Sequence, residues 1–148
     1  LSNRALGEVQ AALQSFEKAA EVEPTATEPL LNAAAITVRN LGFVKTVELL
    51  DEVLKRDPEN YWAKVTRPVA VRRASDDPEK TKEALAMLDE AVASGRDGAA
   101  PEMLGRALAA AGVWRLHAGE NEIAEKVKKI FDADPVLREW YDCAESFV

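Results

Sequence analysis

The sequence predicts an all-α fold, an α-solenoid of antiparallel helix hairpins, from three observations. The first is self-similarity. GEVQAALQSFEKAAEVEP (Gly7–Pro24) and GFVKTVELLDEVLKRDP (Gly42–Pro58) align with Val9 and Phe43, Ala12 and Thr46, Phe16 and Leu50, Ala19 and Val53, and Pro24 and Pro58 each 34 residues apart. A repeat of that length is one supersecondary unit that cannot bury its apolar face alone and stacks on its neighbours. The second is the spacing within each copy, i, i+4, i+7, which puts the matched residues on one face of an α-helix. The third is punctuation: an acidic residue followed by proline closes each copy, and no segment reads as a convincing strand.

Taken in order, the pattern returns in EKTKEALAMLDEAVASG, where Ala84, Leu88 and Ala91 take the places of Thr46, Leu50 and Val53 at an offset of 38, so four residues are inserted. A fourth copy, GENEIAEKVKKIFDADP, puts Ile123, Val127 and Ile130 there and closes at Pro135. Between these second helices lie first helices, clearest in EPLLNAAAITVRNL (Glu28–Leu41) and PEMLGRALAAAGVWRLHAG (Pro101–Gly119). Both carry small residues where two helices cross closely, Ala33 and Ala34 in one and Ala110 and Ala111 in the other, and Trp114 falls in the place of Thr37. Thr25 with Glu28 reads as a capping box, and Asp77–Pro78 and Asp134–Pro135 each put a cap before a proline at the first helical position. The expected organisation is a single domain over 1–148, with approximate repeats 1–26, 27–60, 61–98 and 99–135. LSNRAL is read as the last turn of a first helix whose beginning is missing. Residues 136–148 are read as a capping or next-repeat helix, with Tyr141 and Ala144 in phase and Glu145 at the usual small crossing site, so a fragment of a longer chain is expected.

The period, the small–large–small triplets (Ala12, Phe16, Ala19; Ala84, Leu88, Ala91) and the closing prolines Pro24, Pro58 and Pro135 resemble the tetratricopeptide repeat family over nearly the whole chain. The resemblance implies hairpins stacked in a right-handed superhelix, with the first helices lining a concave groove that binds a peptide or helical segment. Thr46 and Ile123 depart from the family's small residue, and Arg96 stands where a closing proline is expected. Co-chaperone members of the family clamp an acidic tail with lysines, arginines and asparagines facing the groove. Asn32 matches one clamp asparagine, but Leu31, Ala35, Gly105 and Ala109 occupy other clamp places, so that clamp is absent from the complete repeats and Asn32 is read as a helix–helix hydrogen bond. The stretch LLNAAAITVRNLGF also resembles repeats of gliding-motility and envelope-assembly proteins of predatory or social bacteria, which keeps open a recognition domain of a larger envelope or motility protein.

Composition narrows the function. The 148 residues are 47% hydrophobic and 30% charged, ordinary for a folded chain. A net charge of -7 and a pI near 4.9 argue against nucleic acid, whose phosphates require a basic face. No apolar run approaches the ~20 residues that cross a bilayer, so no membrane insertion is expected. One cysteine, Cys143, and one histidine, His117, allow no internal disulfide, no thiolate metal centre and no recognisable nucleophile–base pair. The expectation is a non-enzymatic protein without cofactor or metal; nothing fixes its compartment.

The candidate site is therefore the predicted groove. Leu31, Ala35 and Val38 form an apolar strip beside Arg39, Trp62, Val65 and Val69 form a second with an aromatic anchor, and Gly105, Ala109 and Gly112 leave backbone bare for close approach. Arg4, Arg39, Arg72 with Arg73, and Arg115 form a ladder, each read near the C-terminal end of a first helix. A cation there meets the negative end of the helix dipole, worth ~0.3–1 kcal/mol, and the same groups can pair bidentately with carboxylates of a bound segment. The expected partner is a protein or peptide, acidic or amphipathic, with a homo-oligomer through exposed repeat ends as the alternative.

KVTRPVAVRRASDD (Lys64–Asp77) is the irregular first helix. One register turns Trp62, Val65, Val69 and Arg72 to the groove with Pro68 at the crossing. The other packs Ala63, Thr66 and Ala70 on the second helix and sends Tyr61, Lys64 and Pro68 outward. The Trp62–Val65–Val69 stripe favours the first. In either, Pro68 removes the hydrogen bond to the Lys64 carbonyl at a cost of up to ~3 kcal/mol and predicts a kink near Lys64, with the four-residue insertion following at 74–77.

Overall fold

In the computed structural model, the structure describes residues 2–95, 101–117, 119–135, 138, 139 and 142, with backbone alone for 101–104 and 117. These residues form seven α-helices and no strand: α1 (Asn3–Val22), α2 (Glu28–Arg39), α3 (Phe43–Arg56), α4 (Tyr61–Ala74), α5 (Pro78–Gly95), α6 (Pro101–His117) and α7 (Asn121–Asp132). The chain divides into two compact units, Leu1–Lys80 and Thr81–Val148. In the first, α1 packs on α2, α2 on α3 and α3 on α4; in the second, α6 packs on α7. The architecture is helical and repeat-like, with consecutive helices in contact within each unit along α1–α4 and at α6–α7.

The 34-residue period is realised as burial on α3 and α5, whereas on α1 Ala12 and Phe16 are half-buried and Ala19 is exposed. Thr46, Leu50 and Val53 are fully buried on α3, and Ala84, Leu88 and Ala91 are buried on α5. The crossing residues Ala33, Ala34, Ala110 and Ala111 are buried too, as close helix approach requires. The first unit's core joins Ala20, Leu30, Ala33, Ala34, Leu49, Leu50, Val53 and Ala63, with Leu13, Phe16, Leu31, Leu54 and Trp62 packed against it.

Two turns share one cap. The Leu41 amide donates to the Val38 carbonyl at 3.3 Å and the Gly42 amide to the Thr37 carbonyl at 2.8 Å. In the second unit Gly119 donates to Leu116 at 3.2 Å and Glu120 to Arg115 at 2.8 Å. Both are Schellman motifs, which return orphan helix carbonyls to amides beyond the helix end. They place Arg115, not Trp114, opposite Thr37, and they move the fourth copy by one residue. The buried residues of α7 are accordingly Ala124 and Phe131, while Ile123 and Ile130 are 49% and 64% exposed. The expected triplet Ile123, Val127, Ile130 is corrected: closing the pattern on Pro135 fixed the wrong phase, because the cap sets the register.

Other boundaries also shift. LSNRAL does not end a separate helix; Ser2 caps α1, its hydroxyl accepting from the Ala5 amide at 3.2 Å, and α1 runs on through Gly7. Thr25 is not a capping box, since the N-cap of α2 is Thr27 and makes no side-chain cap bond. The cap at Asp77 holds: its carboxylate accepts from the Glu79 amide at 3.0 Å. No insertion sits in the turn at 75–77. The extra length is helical, with 14 residues in α4 against 12 in α2, and 18 in α5 against 14 in α3. α4 continues without interruption through Pro68, so the expected kink does not break the element. Pro68 is fully buried, which excludes the outward register, yet Ala63 and Ala70 are buried as that register required. The helix is sealed on more sides than either alternative assumed. Arg96, Tyr141, Cys143, Ala144 and Glu145 lie outside the described residues.

Two polar ties orient this packing. At the α2–α3 crossing, the Thr37 hydroxyl lies 2.7 Å from that of Thr46, 3.0 Å from the Ala34 carbonyl, and Thr46 lies 2.9 Å from the Gly42 carbonyl. Two hydroxyl hydrogens serve three contacts, so the pair shares its protons across the crossing. At the far end of α3, the Arg56 Nη1 donates to the carbonyls of Ala20 (3.1 Å), Glu23 (3.2 Å) and Ala26 (2.9 Å), and its Nε to Glu52 at 3.1 Å. One guanidinium thus binds carbonyls at the end of α1 and in the α1–α2 turn, sharing that of Glu23 with the Ala26 amide at 3.0 Å.

Replacing Arg56 by Met is expected to cost about 2 kcal/mol, the scale of hydrogen bonds to a charged group, read as a lowered urea midpoint with unchanged m. In a double-mutant cycle, Thr37→Val and Thr46→Val each cost about 1 kcal/mol, and the pair costs less than their sum, because removing both partners leaves no buried hydroxyl unpaired.

Candidate functional site

The accessible part of the expected groove sits on α2 and α4. Leu31, Ala35 and Val38 are half-buried along one stretch of α2, and Arg39, its last residue, is exposed. On α4, Trp62 and Val69 are half-buried, while Val65 is buried and withdrawn from any partner. Leu31 and Trp62 both rest against the first unit's core, so each carries packing as well as surface. Asn32 is exposed and its side chain makes no hydrogen bond among the described residues, where the sequence predicts a helix–helix bond.

The second unit does not offer the bare strip expected of it. Gly105, Ala109 and Gly112 are all buried. α6 also buries Ala107, Ala110, Ala111, Val113 and Trp114, so it is covered around most of its circumference, with Arg106 left exposed. Their small size serves close packing of α6 itself, not approach by a partner.

The arginine ladder resolves into separate local roles. Arg4 lies in the first turn of α1, not the last turn of a helix, and pairs with Glu8 at 3.2 Å in full solvent. Arg115 is mostly buried and held by Asp89, with Glu120 at 3.5 Å. The cap alignment also puts it two residues before the position of Arg39. Arg73, in the last turn of α4, lies over the Phe43 ring with its guanidinium carbon 5.1 Å from the centroid, a cation–π contact back to α3. Arg72 is half-buried; burial, and then the neighbouring charge of Arg73, lower its pKa. Burial likewise raises the pKa of Tyr61 at the start of α4. Arg39 has neither a hydrogen bond nor an ion pair among the described residues.

Sequence reasoning passed over three residues here. Arg67 of α4 pairs with Asp51 of α3, and Lys45 of α3 reaches Glu17 of α1 at 2.5 Å. Leu41 has φ of 60°, and only the alignment of its turn with Gly119, φ 86°, marks it as unusual. Among the described residues no His, Cys, Asp and Glu cluster could hold a metal ion, and no helix is long and apolar enough to cross a membrane.

No family model matches the chain, and no curated protein matches it.

The engaged and unengaged arginines are separable by experiment. Arg115→Gln is expected to lower stability by about 1 kcal/mol through loss of its carboxylate partners. Arg39→Gln removes no side-chain contact and costs at most the ~0.3–1 kcal/mol of its helix-dipole interaction, read as a smaller shift of the thermal midpoint.

Proposed function

We propose that the chain is a non-enzymatic interaction scaffold of the tetratricopeptide type, an α-solenoid whose first helices present a groove to a peptide or helical segment. One observation carries the reading: a half-buried apolar strip, Leu31–Ala35–Val38, ends at the unengaged Arg39 on a repeat-like helical body. An amphipathic segment laid along α2 and α4 buries its apolar residues on that strip and on Val69, and sets a carboxylate towards Arg39, the helix-in-groove mode of recognition. The absence of a match to a family model leaves the reading to rest on burial, period and charge. The covered α6 confines the proposed groove to the first unit.

A second reading, self-association, is favoured by α1. Ser15 and Ala19 are exposed where their equivalents 34 residues on, Leu49 and Val53, are buried, and Val22 is 72% exposed. A helix of another copy could cover that face.

Affinity capture from native lysate separates the two. The wild type is expected to retain a partner that the Ala35→Glu, Val38→Glu variant loses, with far-UV circular dichroism unchanged. Retention of the same partner by the variant sinks the groove. Sedimentation velocity reporting a concentration-dependent dimer that Ala19→Glu abolishes supports self-association in its place.

A further inference from the structure

The α2–α3 and α6–α7 turns carry the same hydrogen-bonded cap and differ at its left-handed residue. In the second it is Gly119, φ 86°, which meets no steric penalty there. In the first it is Leu41, φ 60°, a branched side chain in a region that L-residues enter only under strain. The strain is not offset by burial, because Leu41 is 69% exposed. Val44, in the first turn of α3, is 64% exposed. The turn therefore holds two aliphatic side chains out into solvent at a position where glycine would fold more easily. Strain that the fold itself does not use points to a use outside the fold.

The surroundings say what chemistry would be met there. Arg39, two residues before Leu41, is exposed and makes no hydrogen bond or ion pair among the described residues. Arg73 is exposed and positioned over Phe43, the residue before Val44. The first turn of α3 holds no acidic residue, and its N-cap, Gly42, has no side chain to shield the positive end of the helix. Glu48, one turn on from Val44, is opposed by Lys45 at 3.9 Å. In a chain of net charge -7 this is a local reversal of sign around an apolar tip.

We infer that the α2–α3 turn is a docking knob for an acidic amphipathic segment of another protein, which places aliphatic residues on Leu41 and Val44 and carboxylates towards Arg39 and Arg73. The inference does not rest on the groove, whose strip contains neither Leu41 nor Val44.

The probes are two synthetic helical peptides with leucines at i, i+3, i+4, i+7, one with glutamate and one with lysine at the remaining positions, titrated by fluorescence anisotropy. The wild type is expected to bind the glutamate peptide at least about tenfold more tightly than the lysine peptide, with the difference shrinking at high salt. Leu41→Gly is expected to weaken binding by about tenfold without lowering the Tm, because glycine relieves the left-handed strain. Val44→Ser weakens binding independently of that strain, and Ile130→Ser, at an exposed aliphatic residue of α7 outside the turn, binds as the wild type. Equal binding of the two peptides, wild-type affinity in Leu41→Gly, or an equal loss of binding in Ile130→Ser each overturns the knob. Self-association of the wild type that Leu41→Gly abolishes overturns the assigned occupant in favour of a second copy.

Discussion

The first unit depends on the burial that α3 demands. Leu49, Leu50, Val53 and Thr46 are buried around an arc of this helix too wide for one neighbour to cover. Fully burying a leucine or valine is worth ~1.5–3 kcal/mol, and an isolated helix of this length is marginal in water. α2 and α4 pack on α3 from separate sides, and specific polar contacts aim each piece. Thr46 meets Thr37 of α2, Asp51 meets Arg67 of α4, Lys45 meets Glu17 of α1, and Arg56 closes the α1–α2 turn. Apolar area supplies the drive, and these contacts supply the register, since a helix sliding on an alanine-rich face would otherwise meet many near-equal positions.

That division explains what the sequence makes legible. Period and amphipathicity are properties of apolar side chains at fixed spacing, so Thr46, Leu50 and Val53, and Ala84, Leu88 and Ala91, could be read as buried before any coordinate existed. Side chain to backbone ties leave no such trace. Arg56 stands in KRDP as one more basic residue at a helix end, and nothing local tells that it reaches the carbonyls of Ala20, Glu23 and Ala26. The one-residue slip in α7 has the same origin: Ile123 and Ile130 satisfy the apolar pattern, but the Glu120 amide bonded to Arg115 sets where the helix starts. Spacing proposes a face, and a cap decides the phase.

The candidate groove was legible in part, for a related reason. Leu31, Ala35 and Val38 lie on a helix with one face clearly outward, so their partial exposure follows from the pattern. Gly105, Ala109 and Gly112 belong to a helix whose apolar residues run around most of its circumference, and for such a helix the pattern gives little sign of which apolar residues face outward. Treating small residues there as open backbone confused room for a partner with room for the protein's own neighbours. Pro68 shows the same ambiguity: it is fully buried, and a missing amide hydrogen is no handicap to side-chain packing.

Charge then separates structure from recognition more sharply than apolarity does. Arg4, Arg56, Arg67 and Arg115 each face a carboxylate of this chain, and Arg73 faces an aromatic ring. A guanidinium so held has already given up much of its hydration to an internal partner, and a ligand must compete for it. Arg39 has not, and it stands beside a leucine that the turn keeps in a strained, exposed conformation. Selection for stability alone would favour glycine at position 41, as at 119, and a buried or paired cation nearby. The coincidence of strain, exposed aliphatic surface and an unengaged arginine in one turn is what intramolecular packing leaves unexplained, and an external acidic partner accounts for all three together.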